Sequence, residues 1–154
     1  MVIVLMGVSG SGKSTLGLLL ADKTSGTFFD GDDFHPPENV AKMASGNPLD
    51  DQDREAWLAS LAKLIEDAQG LTFIACSALK RKYREILSRA EFVFLSGSPE
   101  LLAERLAART DHYMPPGLLQ SQLEALEAPE GALTLDVSKT PEVLANHVIR
   151  HFGL

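Results

Sequence analysis

The chain is predicted to fold as a single α/β domain, a five-stranded parallel sheet with helices on both faces. Two observations predict it. Five short apolar runs, at 2–6, 27–29, 71–76, 92–95 and 133–137, have the length of buried strands. Longer amphipathic stretches separate them, and strands alternating with helices are joined most economically by crossovers in a parallel sheet. The clearest helical stretch is 51–68, where Trp57, Leu58, Leu61, Leu64, Ile65 and Ala68 recur at helical spacing. Others occupy 98–109 and 140–152, and one begins at Ser14. The Pro- and Gly-rich pieces at 35–37 and 114–117 read as loops within the domain, and no repeat or linker divides the chain.

Composition narrows the function. The chain has 154 residues, 45% of them hydrophobic and 23% charged, a globular balance that excludes disorder and coiled coil and can bury a core. A formal net charge of −7 argues against sequence-independent nucleic-acid binding, which depends on excess Lys and Arg. The single cysteine, Cys76, cannot close an intrachain disulfide and fits a reducing compartment. The opening apolar run is too short for a signal-peptide core, and no run approaches the roughly 20 apolar residues of a membrane span. A soluble, complete, cytoplasmic protein with neither nucleic-acid nor membrane partners is expected.

The strongest chemical signal follows the first strand. Gly7-Val8-Ser9-Gly10-Ser11-Gly12-Lys13-Ser14 fits the pattern of Gly, four residues, Gly-Lys and Ser or Thr, and Thr15 continues it. Its glycines let successive N–H groups point into one concavity, and the following helix adds its positive dipole end. Gly7, Ser9, Gly10, Ser11, Gly12, Lys13, Ser14 and Thr15 are thus assigned to a polyphosphate. Lys13 would reach the β and γ phosphates, and the Ser14 hydroxyl would ligate Mg²⁺. The chain contains no Asn-Lys-x-Asp segment for reading guanine, which favours ATP.

The acceptor side is expected at Asp30-Gly31-Asp32-Asp33-Phe34-His35-Pro36, because ligands of open α/β sheets bind outside the carboxyl ends of strands. Transfer to an alcohol needs a group that orients the hydroxyl and accepts its proton. Asp32 is the candidate, with Asp30 supporting Mg²⁺ or its water shell. The plainer alternative is an acidic turn, since Asp and Gly form turns whatever the function.

Together GVSGSGKST, DGDDFHPPENVAKMASGNPLDDQDREAWL, CSALKRKYR and RLAARTDHYM with LLQSQLEALE resemble the gluconate kinases, relatives of shikimate and nucleoside monophosphate kinases. The resemblance covers nearly the whole chain, and 30–58 is its most specific part. It implies a P-loop kinase with strand order 2-3-1-4-5 and a short lid at about 109–118. It also implies a homodimer and transfer of the ATP γ-phosphoryl group to the 6-hydroxyl of D-gluconate. A kinase for another sugar acid or shikimate-like acceptor, or an ATP-dependent regulatory protein, are the alternatives. Three departures stand out: Ala56 where the family often has Pro, Tyr113-Met114 after the lid histidine, and a third strand lacking the Asp of a standard Walker B motif. Mg²⁺ would then rely on Ser14, phosphate oxygens, water and Asp30.

Gluconate carries a carboxylate, which Arg recognises better than Lys because it can bind both oxygens. Arg54 is the candidate, a position that by resemblance to shikimate kinases faces the substrate. The bland alternative is an Arg on a solvated face among Asp50, Asp51, Asp53 and Glu55. Of Lys80, Arg81, Lys82 and Arg84, most are expected on a solvated face, with Ser77 and Lys80 near enough to the strand end to reach substrate or phosphate. In the helix at 98–109, Arg105 and Arg109 fall within the arc of Leu101, Leu102 and Leu106, where an uncompensated buried cation is costly. They are therefore expected to face a bound anion or base. By resemblance Arg105 would stack on adenine and Arg109 would reach the transferring phosphoryl, unless their stems merely cover the helix end.

The lid would exclude water, which competes with the sugar hydroxyl, and His112 would help hold it closed. His35 either hydrogen-bonds substrate hydroxyls or caps the turn. His147 and His151 are read as surface residues, and Cys76 and Trp57 as core.

Overall fold

The computed structural model describes residues 1–109 and 116–154. Its first strand, β1 (Val2–Met6), is buried at every position, as a central strand covered on both faces must be. The other strands are β2 (Thr27–Asp30), β3 (Thr72–Ala75), β4 (Glu91–Ser96) and β5 (Leu133–Asp136). All pair in parallel, in the order β2-β3-β1-β4-β5 that the family resemblance implies.

Strand side chains alternate between faces, and β1 divides accordingly. Val2, Val4 and Met6 pack with Trp57, Leu58, Leu61 and Ile65 of helix α3 (Asp51–Asp67) and with Tyr83 of helix α4 (Arg81–Ile86). Ile3 and Leu5 pack with Leu16 and Leu20 of helix α1 (Lys13–Thr24) and with Leu144, Ala145 and Val148 of helix α7 (Pro141–Phe152). A smaller cluster of Val8, Leu79, Leu102 and Leu119 ties helices α5 (Pro99–Ala107) and α6 (Pro116–Ala125) to the loop after β1. No helix among the described residues is long and apolar enough to cross a membrane.

The structure departs from the sequence reading mainly at prolines and at short helices. Residues 35–37 are not simply loop: Pro37 opens helix α2 (Pro37–Ala44). Pro116 likewise opens α6, so the expected loop at 114–117 is helical from that residue on. Proline ends helices from within but suits their first turn, where its missing N–H is no loss. Helix α4 is six residues long and rich in Lys and Arg, so it carries almost no periodic apolar signal. Of the expected lid, residues 110–115, including His112, lie outside the described residues.

Candidate active site

The loop between β1 and α1 has the form its sequence predicts. Gly7 sits at φ 152°, and a Cβ there would lie 2.9 Å from both the Leu95 carbonyl oxygen and Ser11 Oγ. Gly12 sits at φ 93°, and its Cβ position faces open space. The first requirement packs the loop onto β4, and the second leaves its mouth clear for a ligand. The Ser11 N–H closes the turn on the Val8 carbonyl at 3.2 Å. Its Oγ is buried with no hydrogen-bond partner among the described residues, an open polar demand that fits a bound polyphosphate.

Lys13 folds back over the loop, donating to the Gly7 and Val8 carbonyls at 3.0 and 3.1 Å. Burial pulls its pKa below the ordinary lysine value, while the Asp32 carboxylate, and less strongly Asp30, oppose that shift. The two carboxylates of the acceptor turn are thus within electrostatic reach of the phosphate-binding lysine. The Ser9 N–H donates to Gln122 Oε1 of α6 at 2.7 Å, a tie between the helix after the lid and the phosphate loop.

A cavity of about 240 Å³ adjoins this loop, lined by Gly10, Ser11, Gly12 and Thr15 on one side and by Arg105, Arg109, Val137 and Pro141 on the other. Arg105 and Arg109 both line it, and Arg105 also donates to the Val137 carbonyl, so its guanidinium is fixed to the cavity wall. A larger open hollow of about 790 Å³ lies between α4 and α6 and includes no residue of the phosphate loop.

Strand β2 ends at Asp30, and the chain then makes a 3₁₀ turn over Gly31–Phe34. Asp30 Oδ1 accepts from the Asp32 N–H at 3.0 Å, so Asp30 caps the turn. Among the described residues no three or more His, Cys, Asp or Glu side chains gather as a metal site. The donor set suits an ion held by the Ser14 hydroxyl and phosphate oxygens instead. The turn rests on α3, where Trp57 Nε1 donates to the Gly31 carbonyl at 2.8 Å. Trp57, correctly read as core, also stacks against His35 with ring centroids 4.4 Å apart and planes 13° from parallel. His35 Nε2 lies 3.8 Å from Asp32 Oδ1. Burial, aided by the nearby Arg54 charge, lowers the His35 pKa to about 4, so the ring is neutral at neutral pH.

The cations resolve into different duties. Asp51 accepts from the Tyr83 hydroxyl, from Lys82 and, at 3.1 Å, from Lys80 Nζ, and these bonds hold its carboxyl well below the usual carboxylate range. Lys80, read from the sequence as near enough to the strand end to reach substrate or phosphate, is engaged here by the Asp51 carboxylate. Ser77 meets the phosphate loop through its backbone, its carbonyl accepting from the Gly7 N–H at 3.3 Å. Arg84 is bound to the carbonyls of Ala78, Leu79 and Glu127, and so is no part of a solvated face. The Tyr83 hydroxyl, having given its proton to Asp51, accepts from Arg54 Nη1 at 3.1 Å. Asp53 is taken by Lys42 at 2.6 Å. No carboxylate among the described residues forms an ion pair with Arg54, which is half-buried. His147 and His151 are exposed, and Cys76 is buried, its thiol pushed up to about 12 by burial.

Asn39, Tyr83 and Gln122 are contributors that the sequence reading did not single out. A phosphate loop and a carboxylate-bearing turn at the tips of two strands of one parallel sheet place the molecule among the P-loop kinases of small molecules. Residues 9–133 match the family model described as shikimate kinase. The chain is 42% identical to a probable gluconokinase of Xenopus tropicalis, covering 96% of this chain and 91% of that one. A solved gluconokinase from Sinorhizobium meliloti superimposes with a TM-score of 0.87 at 43% identity, covering 96% of this chain and 89% of that one. A sugar kinase from a Janibacter species does so with a TM-score of 0.90 at 44% identity, covering 97% and 92%. The chain belongs to the gluconokinase family, within the shikimate-kinase type of fold.

The neutral His35 has a thermodynamic signature. Its pKa is about 4 in the folded chain against an ordinary 6.5, so between those values the unfolded chain binds more protons and stability falls as pH drops. Asp51 and Asp53 are depressed below the ordinary 3.8 and lose their contribution only at lower pH. Urea unfolding of the wild type should therefore weaken from pH 6.5 to 4, and His35→Gln should flatten that slope. Equal slopes would contradict a buried neutral histidine.

Proposed function

We propose that the protein transfers the γ-phosphoryl group of ATP to the 6-hydroxyl of D-gluconate, giving 6-phospho-D-gluconate. The observation that carries this reading is Arg54, a half-buried cation without a carboxylate partner among the described residues, on the helix that also supports the Asp32 turn. Such a guanidinium suits the carboxylate of a sugar acid, while Asp32 suits the hydroxyl at the opposite end. The gluconokinase names of relatives along nearly the whole chain support the same substrate.

When bound, Mg²⁺ and ATP supply the transferable phosphoryl group and a metal ion that neutralises charge on its oxygens. The chain's residues do the rest. The loop amides not already engaged within the fold, at Gly10 and residues 12–15, would cradle the phosphates, and the Ser14 hydroxyl would serve as the protein's ligand for the ion. Lys13 exchanges its two loop carbonyls for phosphate oxygens, a move in which a buried ammonium gains a full counter-charge. Arg105 and Thr15 wall the base and sugar, and Arg109 offsets charge on the phosphoryl in flight. Asp32 accepts the hydroxyl proton as the oxygen attacks. His35 lies near Asp32 and feels the Arg54 charge, which supports reading the turn and α3 as holding the two ends of the acceptor.

A coupled ADP-release assay with ATP, Mg²⁺ and a panel of sugar acids and shikimate tests the reading. Release should depend on gluconate, and equal release without any acid would contradict it. Arg54→Ala should raise the gluconate KM by about tenfold or more, the loss of a charge-assisted hydrogen bond, while the ATP KM holds. An unchanged gluconate KM would move the carboxylate contact elsewhere.

A further inference from the structure

Asn39 is 4% exposed and sits in α2, behind the acceptor turn and away from the phosphate loop. Its Nδ2 donates to the Asp53 backbone carbonyl of α3 at 2.7 Å. A carbonyl can only accept, so this bond fixes which end of the amide is the nitrogen. The same Nδ2 lies 3.3 Å from His35 Nδ1. An amide nitrogen can only donate, so Nδ1 must offer a lone pair, and the proton of the neutral ring must sit on Nε2. Nε2 is the atom facing Asp32 Oδ1, 3.8 Å away. Stacking on Trp57 fixes the plane of the ring, and the indole is itself anchored to the Gly31 carbonyl. Amide orientation, tautomer and ring plane are therefore all determined by groups outside the reacting centre.

We propose that Asn39 is a positioning residue for phosphoryl transfer, holding His35 as the Nε2–H tautomer so that a neutral N–H is aimed at the Asp32 carboxylate. The inference rests on the reading of Asp32 as the hydroxyl-orienting base. A neutral donor suits that task better than an imidazolium, because a full positive charge beside Asp32 would stabilise the carboxylate and weaken it as a base. At 3.8 Å the approach is electrostatic, not a formed hydrogen bond. The opposite tautomer would turn a lone pair toward Asp32 and repel it. The Trp57 stack and the Asn39 amide thus set which way the Nε2–H of His35 faces.

Nitrogen-15 NMR of the imidazole side chains in the wild-type protein, without substrates and at neutral pH, reads the tautomer directly. The expected pattern for His35 is a pyridine-type Nδ1 and a pyrrole-type Nε2. The reverse pattern, or a doubly protonated ring, would overturn the proposal without any variant having to fold. Asn39→Ala removes the donor, so a mixture of tautomers and a kcat lower by about tenfold are expected, the effect of one well-placed hydrogen bond, with the ATP KM unchanged. Asp32→Asn measured alongside separates the two readings. Near-normal turnover in Asp32→Asn contradicts the assignment of Asp32 and with it the part given to Asn39. Normal turnover in Asn39→Ala beside a disabled Asp32→Asn contradicts the role of Asn39 alone.

Discussion

The structure depends on a loop that must present its backbone N–H groups to a ligand while being held from behind. Buried amides without acceptors are costly, so such a loop persists only where the scaffold overrides its local preference. Here the scaffold is β1, the central strand, inaccessible on both faces, from whose end the loop departs. The close approach of Gly7 to the Leu95 carbonyl ties the loop to the neighbouring strand. The Lys13 ammonium bonds the loop carbonyls, and Gln122 satisfies the Ser9 amide. Both contacts suggest a loop already folded in its binding form, with its charge parked nearby.

The acceptor side is organised by a second element, α3. Its first turn is fixed by a capping box in which Asp50 and Asp53 satisfy each other's backbone N–H groups. One turn further on, Arg54 leans against Tyr83, and Trp57 supports both Gly31 and His35. Near its start two acidic residues of this helix hold lysines: Asp51 is engaged by Lys80 and Lys82 and Asp53 by Lys42, while the Arg54 guanidinium rests on the Tyr83 hydroxyl.

Strand positions and the phosphate loop were legible in the sequence because each rests on local pattern: apolar runs for the strands, glycine spacing for the loop. The turn at 30–35 was legible as a candidate because it follows a strand that ends beside the loop. The fate of Lys80 was not, because its partner Asp51 is 29 residues away and only the packing of α4 on α3 brings them together. The tie between Ser9 and Gln122 spans 113 residues, and nothing local marks a glutamine in an amphipathic helix as its acceptor. Asn39 looked like one polar residue among many after two prolines. Its role appears only when the Asp53 carbonyl behind it settles which way the amide faces. Helices α2 and α6 were obscured for a different reason, since proline signals a loop and a helix start equally well.

The central claim is that a triphosphate bound by the amino-terminal loop faces a hydroxyl held at the Asp32 turn. A crystal structure with a non-hydrolysable ATP analogue, Mg²⁺ and gluconate tests it most directly. The γ-phosphate should lie against the amides of Gly10 and residues 12–15, with Lys13 Nζ moved off the Gly7 and Val8 carbonyls. The gluconate 6-hydroxyl should lie within hydrogen-bond distance of Asp32 and the carboxylate against Arg54. Phosphates bound elsewhere, or gluconate with its carboxylate toward Asp32, would contradict it.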